Sequence, residues 1–339
     1  MKNIALITGI SGQDGAYLAK LLLDKDYLVI GADRRSSRDN KWRLKKLGIE
    51  DKITFEDFEL SEINQIIRLF DKYKITEVYN LAAQSFVGSS FVNPISTSDV
   101  TGLGVLRILE VIRNLRSRPK FYQASSSEMF GDVLETPQKI TTPFNPVSPY
   151  AIAKLFAHYT TINYRKAYKI FAVSGICFNH ESPLRGEEFI TRKITNGLSK
   201  IKAGLLDRLE VGNIDAKRDW GFAGDYVNAM WLMLQQKQAR DYIIATGKMY
   251  TVRQFINEAI KHFDFDAYWV GKNENEKLKL KKNNKTILQI NKKFYRPNEV
   301  ETLLGDASKT KKFLKWKPTV DFKKLVKIMS LSDLDIYNK

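Results

Sequence analysis

The segment from Ser125 to Lys154 carries side chains that can move protons. Ser125-Ser126-Ser127-Glu128 follows an apolar run, and Pro149-Tyr150-Ala151-Ile152-Ala153-Lys154 opens a helical pattern. Tyr150 and Lys154 are spaced as i and i+4, so a helix places them on one face where their polar ends can converge. A phenol with its ordinary pKa of about 10 is a poor base near neutrality, but a neighbouring ammonium favours phenolate and lowers that value. Tyr150 is therefore a candidate proton acceptor, and Ser126 can hydrogen-bond the same substrate hydroxyl. Glu128 adds a second acid or base, one more than simple alcohol oxidation needs. A Tyr-x-x-x-Lys spacing alone is common on solvated helix faces, so its weight depends on what precedes it.

What precedes it is a nucleotide-binding pattern. Lys2 to Ile7 reads as a strand, Thr8-Gly9-Ile10-Ser11-Gly12-Gln13-Asp14-Gly15 as a glycine turn, and Tyr17 to Leu23 as an amphipathic helix. In that context Gly9 allows the tight turn, Gly12 lets backbone approach a pyrophosphate and Gly15 permits close packing, with the helix N-terminus facing the phosphate charge. Leu28 to Ala32 is a second strand, ending in Asp33-Arg34-Arg35-Ser36-Ser37. An acid there usually holds ribose hydroxyls and arginines accommodate a 2′-phosphate, so the pair of guanidiniums favours NADP while Asp33 keeps NAD open.

Further strands are expected at Ile53–Phe55, Val78–Ser85, Phe121–Ala124 and Phe171–Phe178, with helical patterns between them. That alternation predicts an α/β fold with a doubly wound parallel sheet of Rossmann type and a smaller α/β C-terminal domain. Residues 1–178 are expected to form the dinucleotide domain and 179–339 mainly the substrate domain, with 221–247 returning to the first. Ligands of such sheets sit at the carboxyl ends of the strands, where the glycine turn, Ala82 to Ser85 and Ser125 to Glu128 all fall.

The chain has 339 residues, 43% hydrophobic and 27% charged, an ordinary globular balance with room for two domains. Its one cysteine, Cys177, excludes an internal disulfide and any multi-cysteine metal site. No metal is expected. No apolar run approaches the ~18 residues of a membrane span, and the first strand begins almost at Met1; a cytoplasmic location without membrane attachment is the expectation. The net charge of +17 is scattered except for seven lysines between Lys277 and Lys293, read as a solvated basic loop, and no nucleic-acid partner is expected.

Thr-Gly-x-x-Gly-x-x-Gly, Leu81-Ala82-Ala83, Ser126 and Tyr150-x-x-x-Lys154 together resemble the extended short-chain dehydrogenase/reductases. Gln123 to Gly131, Phe178-Asn179-His180-Glu181-Ser182-Pro183, Gly212 to Gly221 and Arg296-Pro297-Asn298-Glu299-Val300 resemble, more narrowly, the GDP-mannose 4,6-dehydratases over nearly the whole chain. The resemblance implies a redox-neutral dehydration on tightly held NADP. Tyr150, supported by Lys154 and Ser126, takes the proton of the sugar 4-hydroxyl while hydride leaves C4; Glu128 then removes the C5 proton and helps expel the C6 hydroxyl as water. It further implies that Gly9, Gly12, Gln13, Asp14, Gly15, Glu59, Leu60, Leu81, Ala82, Ala83, Ser85, Tyr150, Lys154, His180 and Arg185 contact the cofactor, with Arg34, Arg35 and Ser36 on its 2′-phosphate. Ser85, Asn179, Lys193, Arg218, Arg296 and Glu299 are the expected GDP-sugar contacts, and a homo-oligomer, dimer or tetramer, is the expected assembly. Cys177 and His158 receive no role.

Three positions depart from the family pattern. Ser126 stands where threonine is usual, Phe58-Glu59-Leu60 where Gly-Asp-Leu is usual, and Asp33 is unusual for an NADP binder. The leading expectation is dehydration of GDP-mannose, with the same reaction on GDP-manno-heptose as its nearest rival. A GDP-4-keto-6-deoxymannose reductase or epimerase, and a nucleotide-sensing protein that has kept the fold, are the readings outside dehydration. Glu128 separates the first two from the others, because neither reduction nor epimerisation drives a C5/C6 elimination.

Overall fold

The computed structural model describes residues 2–295, 300 and 302–337. Its framework is a seven-stranded parallel sheet. The strands are β1 (Ile4–Thr8), β2 (Leu28–Asp33), β3 (Thr54–Asp57), β4 (Glu77–Asn80), β5 (Lys120–Ser126), β6 (Ala172–Cys177) and, at the edge beside β6, Asp241–Ile244. In space the order from one edge is β3, β2, β1, β4, β5, β6 and Asp241–Ile244, so chain order reverses between β1 and β4. Such a reversal opens a crevice at the carboxyl ends of the two strands.

The central strands are apolar runs without alternation. Ala5, Leu6, Ile7, Val29, Ile30, Phe121, Tyr122, Ala172 and Val173 are buried, as a sheet covered on both faces demands. Helix α1 (Gln13–Leu23) follows β1 and turns Ala16, Leu18, Ala19 and Leu22 inward. The return from β2 passes through the short α2 (Trp42–Lys46). The Tyr150 helix (Pro149–Tyr168) lies between β5 and β6 in sequence and begins after Ser148, whose hydroxyl accepts from Ala151 N at 3.1 Å.

β4 stops at Asn80 rather than continuing to Ser85. Thr8 at the end of β1 is the reason. Its hydroxyl donates to Asn80 Oδ1 at 2.7 Å and accepts from Leu81 N and Ala82 N at 3.2 Å each, which takes those N–H groups out of any ladder.

The second lobe packs helices Ile190–Lys202, Val252–His262 and Phe322–Tyr337 against a four-stranded sheet ordered Ala267–Val270, Lys277–Leu280, Thr286–Ile290 and Leu209–Val211. Ile194, Leu198, Trp220, Phe255, Phe263, Leu278, Leu288 and Met329 belong to its core. The lysine-rich stretch expected as a loop is therefore largely a β-hairpin. Leu278, Ile287 and Leu288 are fully buried among its lysines, and Lys281, Lys285, Lys292 and Lys293 pair with Asp266, Asp207, Glu274 and Glu210.

Candidate active site

The crevice beside β1 and β4 is lined by Asp14, Leu81, Ala83, Ser85, Ala124 to Glu128, Tyr150, Lys154, Asn179, His180 and Arg185, together with the apolar Val87, Cys177, Phe178 and Phe189. The chemistry-bearing motifs thus meet in one place. Ser126 ends β5, and its hydroxyl accepts the N–H of Glu128 at 3.2 Å, so the turn that follows the strand is built on the serine and carries Glu128 beside it. Tyr150 stands in the first turn of its helix, where the positive end of the backbone dipole favours negative charge on the phenol. One turn on, Lys154 donates from Nζ to the carbonyl of Ala124 at 2.8 Å, which pins the helix to the end of β5.

The acidity of this pair differs from what the spacing suggests. Burial raises the Tyr150 phenol above its ordinary value; its hydrogen bond with Ser126 opposes the rise, and Glu128 adds to it. Lys154 does not offset this, because its ammonium is committed to Ala124 and lies 5.8 Å from the Tyr150 ring centroid. Burial in turn pushes Lys154 down to about 8. Desolvation of the charged form is the largest effect at each group.

The floor of the crevice joins α1 to the chain after β6. His180 Nε2 is 2.7 Å from Asp14 Oδ2, and Nδ1 is 2.8 Å from the Phe178 carbonyl. Both partners can accept, an arrangement that favours a proton on each ring nitrogen and hence a charged ring. Burial opposes that charge, but Asp14 outweighs it and raises the His180 pKa; the Asp14 carboxyl is correspondingly lowered by His180 and Arg185 against its own burial. Gln13 is buried and brackets the same contact, donating to the His180 carbonyl at 3.1 Å and accepting from Ser182 Oγ at 2.7 Å. Arg185 lies 3.1 Å from Glu181 Oε2 and 3.6 Å above the Phe189 ring.

The glycine turn has the shape of a phosphate cradle. Gly9 has φ +71°, and a Cβ there would lie 2.9 Å from Ala82 N; one on Gly15 would lie 2.5 Å from the Gly9 carbonyl. Helix α1 has Gly12 at its N-cap with no side-chain cap, unlike the Tyr150 helix, so no hydroxyl occupies the positive end of its dipole. A second pocket adjoins it, lined by Ser11, Asp33, Arg34, Arg35, Ser36, Lys41 and Phe55. There Asp33 Oδ2 accepts from the Ser11 hydroxyl and from Ser11 N at 3.3 Å, while Oδ1 accepts from Arg34 N at 3.0 Å.

Other expected contacts stand outside both pockets. Leu60 is in the core under the sheet, and Glu59 N is bonded to Gln65 Oε1 at 2.8 Å. Lys193 lies 3.3 Å over the Phe294 ring, and Arg218 is buried on the short strand Lys217–Arg218 of the second lobe. Arg296 and Glu299 lie outside the described residues. His158, without an assigned role, is buried with Nδ1 3.0 Å from Ser125 Oγ. The apolar walls Val87 and Phe189 carried no sequence signal beyond being ordinary core-type residues at the starts of helices.

The sequence profile described as GDP-mannose 4,6 dehydratase matches residues 6–329. Relatives of that name from Homo sapiens and from Vibrio cholerae serotype O1 are 47% and 48% identical over 343 and 351 residues, covering 99% and 98% of this chain and 92% and 94% of theirs. The chain belongs to the GDP-mannose 4,6-dehydratase family. A third member, GDP-mannose 4,6 dehydratase 1 of Arabidopsis thaliana, is 48% identical over 99% of the chain and 91% of its own. The family fold is also that of more distant solved structures. UDP-glucose 4-epimerase of Thermotoga maritima superposes with a TM-score of 0.82 at 21% identity, covering 98% of this chain and 99% of its own. dTDP-glucose 4,6-dehydratase of Bacillus anthracis superposes at 0.80 with 19% identity over 97% and 96%. Both superpose over nearly the whole chain, so the framework that positions the crevice is a fold shared well beyond the family.

Proposed function

We propose that this protein is a GDP-mannose 4,6-dehydratase, converting GDP-mannose to GDP-4-keto-6-deoxymannose with loss of one water. The observation that carries this reading is the presence of Glu128 in one crevice with Ser126, Tyr150 and Lys154. Tyr150 receives the proton of the sugar 4-hydroxyl in its phenolate form, which burial disfavours and the Ser126 hydrogen bond and the helix N-terminus favour, with Ser126 holding the same oxygen and Lys154 fixing the helix that presents the phenol. A 4-keto group acidifies the hydrogen on C5. Glu128 then takes that proton and delivers one to the departing C6 hydroxyl, so that water leaves. A nicotinamide dinucleotide, when bound, supplies the acceptor for hydride from C4 and the donor to C6, and the reaction is redox-neutral overall. The glycine turn, Asp14, Leu81, Ala83, Ser85, His180 and Arg185 form the wall that would hold it, and the cradle at Gly9 and Gly12 fits a pyrophosphate.

NADP is the dinucleotide we favour. Both carboxylate oxygens of Asp33 are engaged by Ser11 and by the Arg34 N–H, which leaves the acid poorly placed to chelate a ribose. Arg34, Arg35 and Ser36 stand exposed beside it for a 2′-phosphate. Mannose is favoured over manno-heptose by the names of the relatives above. We assign residues 1–178, together with 221–247, whose Tyr226, Met230, Met233 and Ile243 lie in the core beside the parallel sheet, to the cofactor lobe and the remainder mainly to the sugar-nucleotide lobe, in which Lys193, Arg218, Arg296 and Glu299 serve the GDP. The enzyme is placed in the cytoplasm, where both ligands are metabolites. Ile152, Phe156 and Tyr159 form an exposed apolar stripe on the Tyr150 helix beside Leu106, and we assign this face to a homo-oligomeric contact.

The test is mass spectrometry of the product after incubation with GDP-mannose and, separately, GDP-manno-heptose, without added reductant. A product one water lighter from GDP-mannose, formed faster than from the heptose, is expected. No loss of water from either substrate overturns the reading.

A further inference from the structure

Three consecutive carbonyls beside Arg185 are held by two guanidiniums from opposite lobes. Arg192, on the helix Ile190–Lys202, donates from Nη1 to the carbonyls of Pro183 and Arg185, and its Nη2 is 2.7 Å from Asp333 Oδ1 of the last helix. Arg192 and Asp333 are buried, and Thr195 Oγ1 donates to the second Asp333 oxygen at 2.6 Å. The carbonyl between them, that of Leu184, accepts instead from Arg43 Nε at 2.6 Å, across from α2. Arg43 also donates from Nη1 to the carbonyl of Ser11 at 3.0 Å, inside the glycine turn, and its guanidinium lies 4.4 Å over the exposed Trp42 ring. Ser11 is thus gripped from two sides, its hydroxyl and N–H by Asp33 and its carbonyl by Arg43.

We infer that Arg43 is a positioning residue that couples occupation of the glycine turn to the geometry of the Pro183–Arg185 segment, so that dinucleotide binding prepares the sugar-nucleotide side of the crevice. The inference rests on the functional reading above. A guanidinium suits this task because its planar fork reaches two carbonyls in fixed directions, which a lysine ammonium does not reproduce. Fixing the Ser11 carbonyl with a bound pyrophosphate on the same turn fixes one end of the fork; the other end then holds Leu184, and with it the backbone that carries Arg185. Arg43 lines neither pocket, so it acts through Ser11 and Leu184 rather than by touching ligand.

The experiment is calorimetric titration of the full-length protein with GDP, with and without saturating NADP. In the unaltered protein NADP is expected to tighten GDP binding by about tenfold, within the usual range of coupling between sites. Arg43→Met and Arg43→Lys are each expected to reduce that factor to about twofold or less, with each nucleotide's separate affinity within about threefold of normal. A merely structural role would lower the melting temperature and leave the ratio alone. Trp42→Ala, which removes only the ring under the guanidinium, is expected to give an intermediate factor and serves if the Arg43 variants fail to fold. Full coupling in Arg43→Lys, unchanged coupling in Trp42→Ala with the Arg43 variants unfolded, or no coupling in a protein that binds both nucleotides, overturns the inference alone. Failure of the unaltered protein to bind either nucleotide overturns the functional reading and this inference with it.

Discussion

Glu128 is the side chain on which the reaction class turns. Its backbone N–H is held by Ser126, so the carboxylate and the hydroxyl of the proposed proton relay are fixed by one turn. Replacing it by glutamine keeps the size and removes the acid and base. Turnover of GDP-mannose to a product one water lighter is expected to fall by about 100- to 10,000-fold, measured by mass spectrometry, with GDP affinity within a few-fold of normal. A loss under threefold would mean that the elimination is driven from elsewhere. That Ser126, Glu128, Tyr150 and Lys154 stand together was legible, because an i, i+4 pair after a helix-opening proline and a serine-carboxylate turn after an apolar strand are local patterns. Their acid strengths were not. The rise of Tyr150 and the fall of Lys154 come from burial in the folded crevice, which no spacing argument reaches.

At the scale of elements, the glycine turn and α1 were readable from a strand, three glycines and an amphipathic stripe, whereas the end of β4 was not. Leu81 and Ala82 look like strand residues, and only the Thr8 hydroxyl, brought alongside by parallel pairing, withdraws their N–H groups. The lysine hairpin was hidden by the opposite effect, since its charges masked the few apolar residues, Leu278, Ile287 and Leu288, that are buried. The link between α1 and the chain after β6 carries a pH signature. The His180 pKa is raised by Asp14 above its ordinary ~6.5, so the stabilisation is complete below that value and is lost as pH rises through the raised one. Asp14, lowered, keeps its share above its ordinary value and loses it only as pH falls through the depressed one. Lys154 works the other way, since its penalty for burial is relieved as pH rises through about 8. Comparison with Asp14→Asn separates the two. The gap in melting temperature between the unaltered protein and this variant is expected to shrink from about pH 6 to about pH 9, followed by thermal unfolding. A constant gap would mean that the pair is not ionised as described.

For the whole molecule, the parallel sheet and its reversal between β1 and β4 explain why a nucleotide turn, a loop of small residues and a serine turn, far apart in sequence, line one crevice. The alternation of strands and helices made that layout predictable, while the second lobe, assembled from short strands separated by up to dozens of residues, offered no comparable period. The apolar stripe of the Tyr150 helix bears on assembly. Phe156→Glu together with Ile152→Glu is expected to convert a dimer or larger species to monomer, read by light scattering, because burying either carboxylate unpaired at a contact costs several kcal/mol. A monomeric unaltered protein would remove the assignment. The sheet also sets a condition on how the chain comes off the ribosome. Its last strand, Asp241–Ile244, pairs with β6 only after Leu209–Val211, Lys217–Arg218 and Gly221–Phe222 of the intervening chain have emerged. Until then β6 is a bare, apolar edge with its ladder groups unmet, a surface that other strands can capture. A chain that ends before residue 241 therefore lacks the strand that covers the β6 edge, and the cost of that gap falls on synthesis rather than on the finished fold.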